Sequence, residues 1–205
     1  MSSYVIGLTG GIACGKSNLS RTLMENGVPV VDADRVSREM TAPGGPALPK
    51  IRAAFGDGVF DGDTLNRRAL SDLIFSAPEA RERLNGILHP MIFAEMRRQM
   101  DAVDGAVVLD VPLLFETGME DWCDEIWCAY VPQKEQIRRL RKREGLTVRA
   151  ALLRIHSQMP TMEKRRRADR VIRTEGTKAE SGRIALSLWQ DALKRAQGRK
   201  GETSL

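Results

Sequence analysis

Short apolar runs alternate with longer amphipathic stretches along the chain. Residues 4–8, 28–31, 106–109, 125–131 and 170–173 predict five short strands. Between and after them the spacing predicts helices. The first covers 16–26, with Leu19 and Leu23 one turn apart on one face and Gly27 as a stop. Further helices are predicted over 35–40, 48–55, 66–75, 78–103, 134–144, 147–158, 162–168 and 179–197. His89-Pro90 falls inside the longest and predicts a kink or restart there. Strands alternating with helices argue for an α/β fold: a five-stranded parallel sheet with helices on both faces. About 70 residues separate the second and third strands, too many for a simple crossover, which predicts an inserted helical subdomain. The polar stretch 198–205 reads as a loose tail.

A chain of 205 residues fits one domain with an insertion. Moderate glycine, proline and cysteine contents exclude collagen-like, disordered and disulfide-scaffold classes. Cys14, Cys123 and Cys128 are odd in number and lack paired zinc-ligand spacing, so free thiols in a reducing cytoplasm are expected. No apolar run approaches the roughly 20 residues of a membrane helix, and no signal peptide is expected. The net charge of +5 is unevenly spread: residues 134–173 carry 14 Lys/Arg against 4 Asp/Glu. That cluster suggests a polyanion site, either nucleic acid or a phosphorylated small molecule, or else a solvated helix face.

Gly10-Gly-Ile-Ala-Cys-Gly-Lys-Ser17 matches G-x-x-x-x-G-K-[ST] between a predicted strand and a predicted helix. In such a loop backbone N–H groups cradle phosphate oxygens, and the helix N-terminus adds partial positive charge. ATP-binding is therefore expected at Gly11, Ile12, Ala13, Cys14, Gly15, Lys16, Ser17 and Asn18. Lys16 would reach the β/γ-phosphates and the Ser17 hydroxyl would hold Mg²⁺. A guanine-reading N-K-x-D is absent, and a compact loop with a helical insertion suits a small-molecule kinase.

Asp32 and Asp34 follow the second strand, where parallel sheets face their ligand crevice. They share a side if the strand runs on, but not if a turn begins. Either accepts the proton of an attacking hydroxyl or caps the following helix. Asp110, ending the third strand, reads as an acid that holds Mg²⁺ through water or as a loop cap. Arg139 and Arg143, one helical turn apart, read as a clamp on the migrating phosphoryl group or as surface residues. With Arg154 and Lys164–Arg167 they suggest a basic lid that excludes water. His89 is a helix-turn residue or a substrate contact. Two histidines cannot build a multi-histidine metal site.

Several strings, in order, resemble the dephospho-CoA kinase family. They are Gly7-Leu-Thr-Gly-Gly-Ile-Ala-Cys-Gly-Lys-Ser17, Asp32-Ala-Asp34, Leu84-Asn-Gly-Ile-Leu-His-Pro90 and Asp110-Val-Pro-Leu-Leu-Phe-Glu116, followed by Gln158-Met-Pro, Lys164-Arg165, Ala168-Asp169 and Val171-Ile172. The resemblance implies ATP-dependent phosphorylation of the ribose 3′-hydroxyl of dephospho-CoA, the last step of coenzyme A biosynthesis. It implies a P-loop core over 1–34, 104–132 and 168–197, a dephospho-CoA-binding insertion over 35–103, and a lid over 133–167. It makes Asp34 the base, with Lys16 and Arg143 as catalytic cations, and puts Arg38, Arg67 and His89 on the acceptor side. Arg139 joins the ATP site, and Ser17 and Asp110 the Mg²⁺ site. Cys14 stands where serine is commoner and Asn18 where threonine is common; Cys14 predicts sensitivity to thiol reagents. A cytoplasmic monomer with no membrane or nucleic-acid partner is expected. The rivals are a nucleoside or nucleotide kinase and a nucleic-acid-binding ATPase. The second is disfavoured because aromatic residues are not interleaved with the basic cluster.

Overall fold

The computed structural model describes residues 3–202. In chain order the elements are β1 (Tyr4–Gly10), α1 (Lys16–Glu25), β2 (Val30–Asp32), α2 (Ala33–Met40), α3 (Leu48–Phe55), β3 (Phe60–Asp61), β4 (Thr64–Leu65), α4 (Arg67–Ser76), α5 (Pro78–Asp101), β5 (Ala106–Asp110), β6 (Glu125–Tyr130), α6 (Gln133–Glu144), α7 (Val148–His156), α8 (Thr161–Arg167), β7 (Arg170–Arg173) and α9 (Lys178–Glu202).

Five strands form one parallel sheet in the order β2-β5-β1-β6-β7, as the alternating pattern predicted. β1 is central and buried throughout, which explains why it reads as a continuous apolar run. Strand alternation sends Tyr4, Ile6, Leu8, Val108, Trp127, Ala129 and Ile172 into one core with Leu19 and Leu23 of α1 and Trp189 and Ala192 of α9. On the opposite face a Cβ at Gly7 would meet Cys123 Sγ at 2.7 Å. Glycine there lets the segment after β5 pack directly on the strand. The chain leaves β1 for β2 on one side and leaves β5 for β6 on the other. This divergence makes a topological switch point at the carboxyl ends of β1 and β5, where Leu8 stands beside Asp110.

The contacts divide the chain into two units. The first holds the described residues up to Val31 and from Met100 onward; the second is Asp32–Gln99. The second contains α2 to α4, most of α5, and an antiparallel ribbon pairing Phe60 with Leu65 and Asp61 with Thr64. The ribbon escaped the sequence reading because two residues per strand are too few to show a period of two. Its turn uses Gly62 at φ 60, and Arg52 packs over the Phe60 ring at 4.3 Å while bonding Asp57 at 3.0 Å.

Two local expectations differ. α5 does not restart at His89-Pro90 but runs unbroken through Pro90. The residue four positions earlier, whose carbonyl a proline ring crowds, is Gly86, with open space beside its Cα. α9 does not end at Gln197 but continues to Glu202. Arg199 bonds Asp124 at 2.5 Å and lies 5.0 Å from the Tyr4 ring centre, tying the helix to the amino-terminal ends of β1 and β6. The first five residues of the expected loose tail are therefore helical, and 203–205 lie outside the described residues. Of the two alternatives left open for the aspartates, the second holds: β2 stops at Asp32 and a helix begins at once, so Asp32 and Asp34 do not share a strand face.

Candidate active site

The phosphate-loop sequence turns between Gly10 and Lys16, with the Cys14 N–H bonded back to Gly11 O at 3.1 Å. Ala13 (φ 60) and Gly15 (φ 84) adopt left-handed backbone. Glycine does so freely. At Ala13 it costs on the order of 1–2 kcal/mol, so neighbours must hold it. They grip the loop's outer carbonyls. Ile12 O accepts from Gln136 Nε2 at 2.7 Å, Ala13 O from Arg139 Nη1 at 3.3 Å, and Cys14 O from Thr174 Oγ1 at 2.7 Å. In a trans peptide the following N–H points the opposite way. The Ala13 and Gly15 N–H groups are thereby turned to the inside of the loop, beside the N-terminus of α1. That helix has no acidic residue in its first turn and no side-chain cap. The result is a cradle for an anion.

Lys16, in that first turn, is ion-paired with Asp110, buried at the end of β5. Ser17 is exposed beside it, and Asn18 Nδ2 donates to Lys178 O at 3.2 Å. The segment after Asp110 is pinned from behind. Pro112 O accepts from Thr9 Oγ1 at 3.1 Å and from Lys164 Nζ at 2.7 Å. Lys164 also meets Glu116 at 2.8 Å, and Glu116 accepts from the Met159 N–H at 2.9 Å. Lys164 was expected in a mobile basic lid. It is fully buried instead, because its ammonium has two oxygen partners inside. Arg167 stays exposed but is engaged, bonding Glu120 at 2.6 Å and lying over Phe115 at 4.3 Å.

The two predicted clamp arginines diverge. Arg139 lies on the loop, bonding Ala13 O and both the hydroxyl and carbonyl of Thr174, while Glu135 accepts from its Nε at 2.8 Å. Arg143 is largely exposed and bonds Glu144 at 3.0 Å; Glu144 also takes Arg154. A cleft of about 290 Å³ opens beside Gly15 and Asn18, between Arg139, Thr174 and Lys178.

In the second unit, Asp32 caps α2, accepting from the Arg35 N–H at 3.0 Å. Capping thus falls to Asp32, and Asp34 is an exposed residue in the helix's first turn. Arg38 follows one turn later on the same face, also exposed. Arg67 Nη2 reaches Thr41 Oγ1 at 3.0 Å, at the end of that helix. His89 is exposed and stacks on Phe93, with ring centres 5.6 Å apart.

Cys14 corrects another expectation. Its side chain enters the core under the sheet, and burial pushes its thiol up from the ordinary value, away from the reactive thiolate. Sequence reading missed Gln136, Thr161 and Thr174. The available signal was Gln136 one turn before Leu140, a polar residue on the buried face of an otherwise cationic helix.

Known proteins resemble this chain over most of its length. The family model for dephospho-CoA kinase matches residues 4–180. A dephospho-CoA kinase of Geobacillus kaustophilus is 42% identical over 200 residues, covering 94% of this chain and all of the relative. A crystal structure from Thermus thermophilus is 31% identical with a TM-score of 0.79, covering 93% of this chain and 98% of its own. The dephospho-CoA kinase of Campylobacter jejuni, 23% identical, shares the fold with a TM-score of 0.67 over 93% of this chain and 97% of its own. The family match and these relatives, over a parallel sheet with the loop sequence at its centre, show that the chain belongs to the dephospho-CoA kinase family.

Proposed function

We propose that this chain transfers the γ-phosphoryl group of ATP to the ribose 3′-hydroxyl of dephospho-CoA, releasing coenzyme A and ADP, at the site built on the β1–α1 loop. The observation that carries the reading is the cradle itself: outward carbonyls gripped by three side chains, N–H groups turned inward, and Lys16 at the mouth.

The loop binds the phosphates through backbone N–H groups and α1, and Lys16 follows the negative charge that spreads over the transferring group. The cleft beside Gly15 and Asn18 takes the nucleotide's base, with the planar Arg139 guanidinium as one wall. Residues 35–103 bind dephospho-CoA, using Arg38, Arg67 and His89 toward its anionic groups. Residues 133–167 cover the donor, and Arg143 leaves Glu144 for the phosphates when both substrates are present. Mg²⁺ suits the donor set. Ser17 and Asp110 are hard oxygen ligands, and no cluster of three metal-binding side chains occurs among the described residues. Phosphate oxygens and water would complete its shell, and the ion would neutralise phosphate charge. Three free cysteines fit action in the cytoplasm, and a monomer is the favoured state.

Asp34 orients the acceptor hydroxyl and takes its proton late in transfer. Its support is position: two residues beyond the carboxyl end of β2, and free of the capping duty that Asp32 performs. Asp34→Asn keeps shape and hydrogen bonding but cannot accept the proton. We expect kcat to fall roughly 10²–10⁴-fold, with ATP affinity and melting temperature near wild type. A folded variant with kcat within about threefold of wild type, far short of a general base's contribution, would refute the role.

A further inference from the structure

We infer that Gln136 is a positioning residue for the phosphate cradle: its side-chain amide holds the Ile12 carbonyl outward and so aims the Ala13 N–H at the phosphates. The inference rests on the reading of this loop as the ATP site.

Gln136 lies in the first turns of α6 and is only 1% exposed. Both ends of its amide are used. Nε2 donates to Ile12 O at 2.7 Å, and Oε1 accepts from Thr161 Oγ1 at 3.3 Å. Thr161 opens α8, so a residue from a second helix, distant in sequence, holds the amide that reaches the loop carbonyl. The fit is close. A Cβ on Gly11 would lie 2.0 Å from Thr161 Oγ1 and 2.9 Å from Gln136 Nε2. The pair therefore occupies the space that glycine leaves.

The Ile12–Ala13 peptide decides the cradle's shape. With the Ile12 oxygen fixed on Gln136, the Ala13 N–H must face the other way, inward. Ala13 is also the non-glycine residue of the loop at positive φ. Released from Gln136, this peptide would gain by rotating toward ordinary backbone, and the N–H would leave the phosphate site. The side chains of Ile12 and Ala13 pack against the small core of Leu140, Ala151 and Ile155, so the peptide is held by apolar contacts on one side and one directed hydrogen bond on the other. Apolar packing does not choose which way a peptide plane points; the hydrogen bond does.

The chemistry supplies a test that bulk destabilisation cannot imitate. Gln136→Met fills similar volume and lacks the donor. Gln136→Glu keeps an acceptor for Thr161, but when ionised it sets a carboxylate against the Ile12 carbonyl. When protonated, its O–H can donate to that carbonyl. Burial raises a carboxyl's pKa, so the switch falls within a workable pH range. Mg·ATP binding is measured by calorimetry on the full-length protein from about pH 6 to about pH 9, with circular dichroism confirming the fold. Wild type is expected to bind throughout. Gln136→Met should bind roughly tenfold more weakly at every pH, the scale of one lost hydrogen bond. Gln136→Glu should approach wild type at the acidic end and lose at least about tenfold at the alkaline end. A folded Gln136→Met that binds ATP within about twofold of wild type, less than one hydrogen bond is worth, would overturn the inference. So would a Gln136→Glu variant whose affinity relative to wild type is flat with pH. Failure of the wild type itself to bind ATP would overturn the loop reading and take the inference down with it, a result distinct from both.

Discussion

Cys14 occupies a variable position inside the phosphate loop, yet its side chain belongs to the core beneath α1. Backbone direction explains this: the loop works through N–H groups, so its side chains are free to pack elsewhere. Burial raises the Cys14 thiol and pushes those of Cys123 and Cys128 up to about 12. At about pH 8, where an unperturbed thiol is partly ionised, native protein should react with a thiol reagent far more slowly than urea-unfolded protein. Time-resolved mass spectrometry of the Cys14 peptide checks this, and equal rates in both states would show that the thiol is not buried. At this scale the motif residues were legible in the sequence, because the chemistry of phosphate binding dictates their types. Which aspartate caps and which stays free was not legible: it depends on where β2 stops, a matter of one residue.

α6 was legible as a cationic helix, but not as the frame of the loop. Its arginines looked equivalent by spacing, and only the structure distinguishes Arg139, on the loop, from Arg143, on Glu144. Glu135 sorts them from within the helix by pairing with Arg138 and Arg139. The Arg138 guanidinium, with help from Arg139, holds the Glu135 carboxyl down at about 2 against ordinary burial effects. A depressed carboxylate pKa stabilises the fold above the unfolded value of 4.5, and that stabilisation is lost as pH falls from there toward about 2. Glu135→Gln should therefore lower the melting temperature modestly at neutral pH, since partly exposed pairs are screened. The difference from wild type should shrink as the pH drops below 4.5. A difference that persists unchanged in acid would mean that Glu135 contributes through packing rather than charge. Lys164 teaches the same lesson from α8. A basic run reads as solvated surface, and only an acceptor brought from elsewhere in the chain, Glu116, reveals a buried lysine.

For the whole molecule, the parallel sheet was legible because its central strands are short, buried apolar runs in a chain of alternating strands and helices. Its order was not, yet the order matters most: it places β1 beside β5 and so Lys16 against Asp110. The β3–β4 ribbon is too short to show a strand period, and the continuity of α9 depends on the Arg199–Asp124 contact, which no local pattern encodes. This cradle should serve one acceptor, dephospho-CoA. The most direct test mixes purified protein with Mg·ATP and, separately, dephospho-CoA, a panel of nucleosides and nucleotides, and single-stranded nucleic acid. ADP release is followed, and phosphorus NMR locates the new phosphate. Rapid turnover with dephospho-CoA alone, with the phosphate on the ribose 3′-oxygen, is the predicted result. Equal or faster ADP release with a nucleoside, a nucleotide or nucleic acid, or a phosphate found elsewhere on the acceptor, would contradict it.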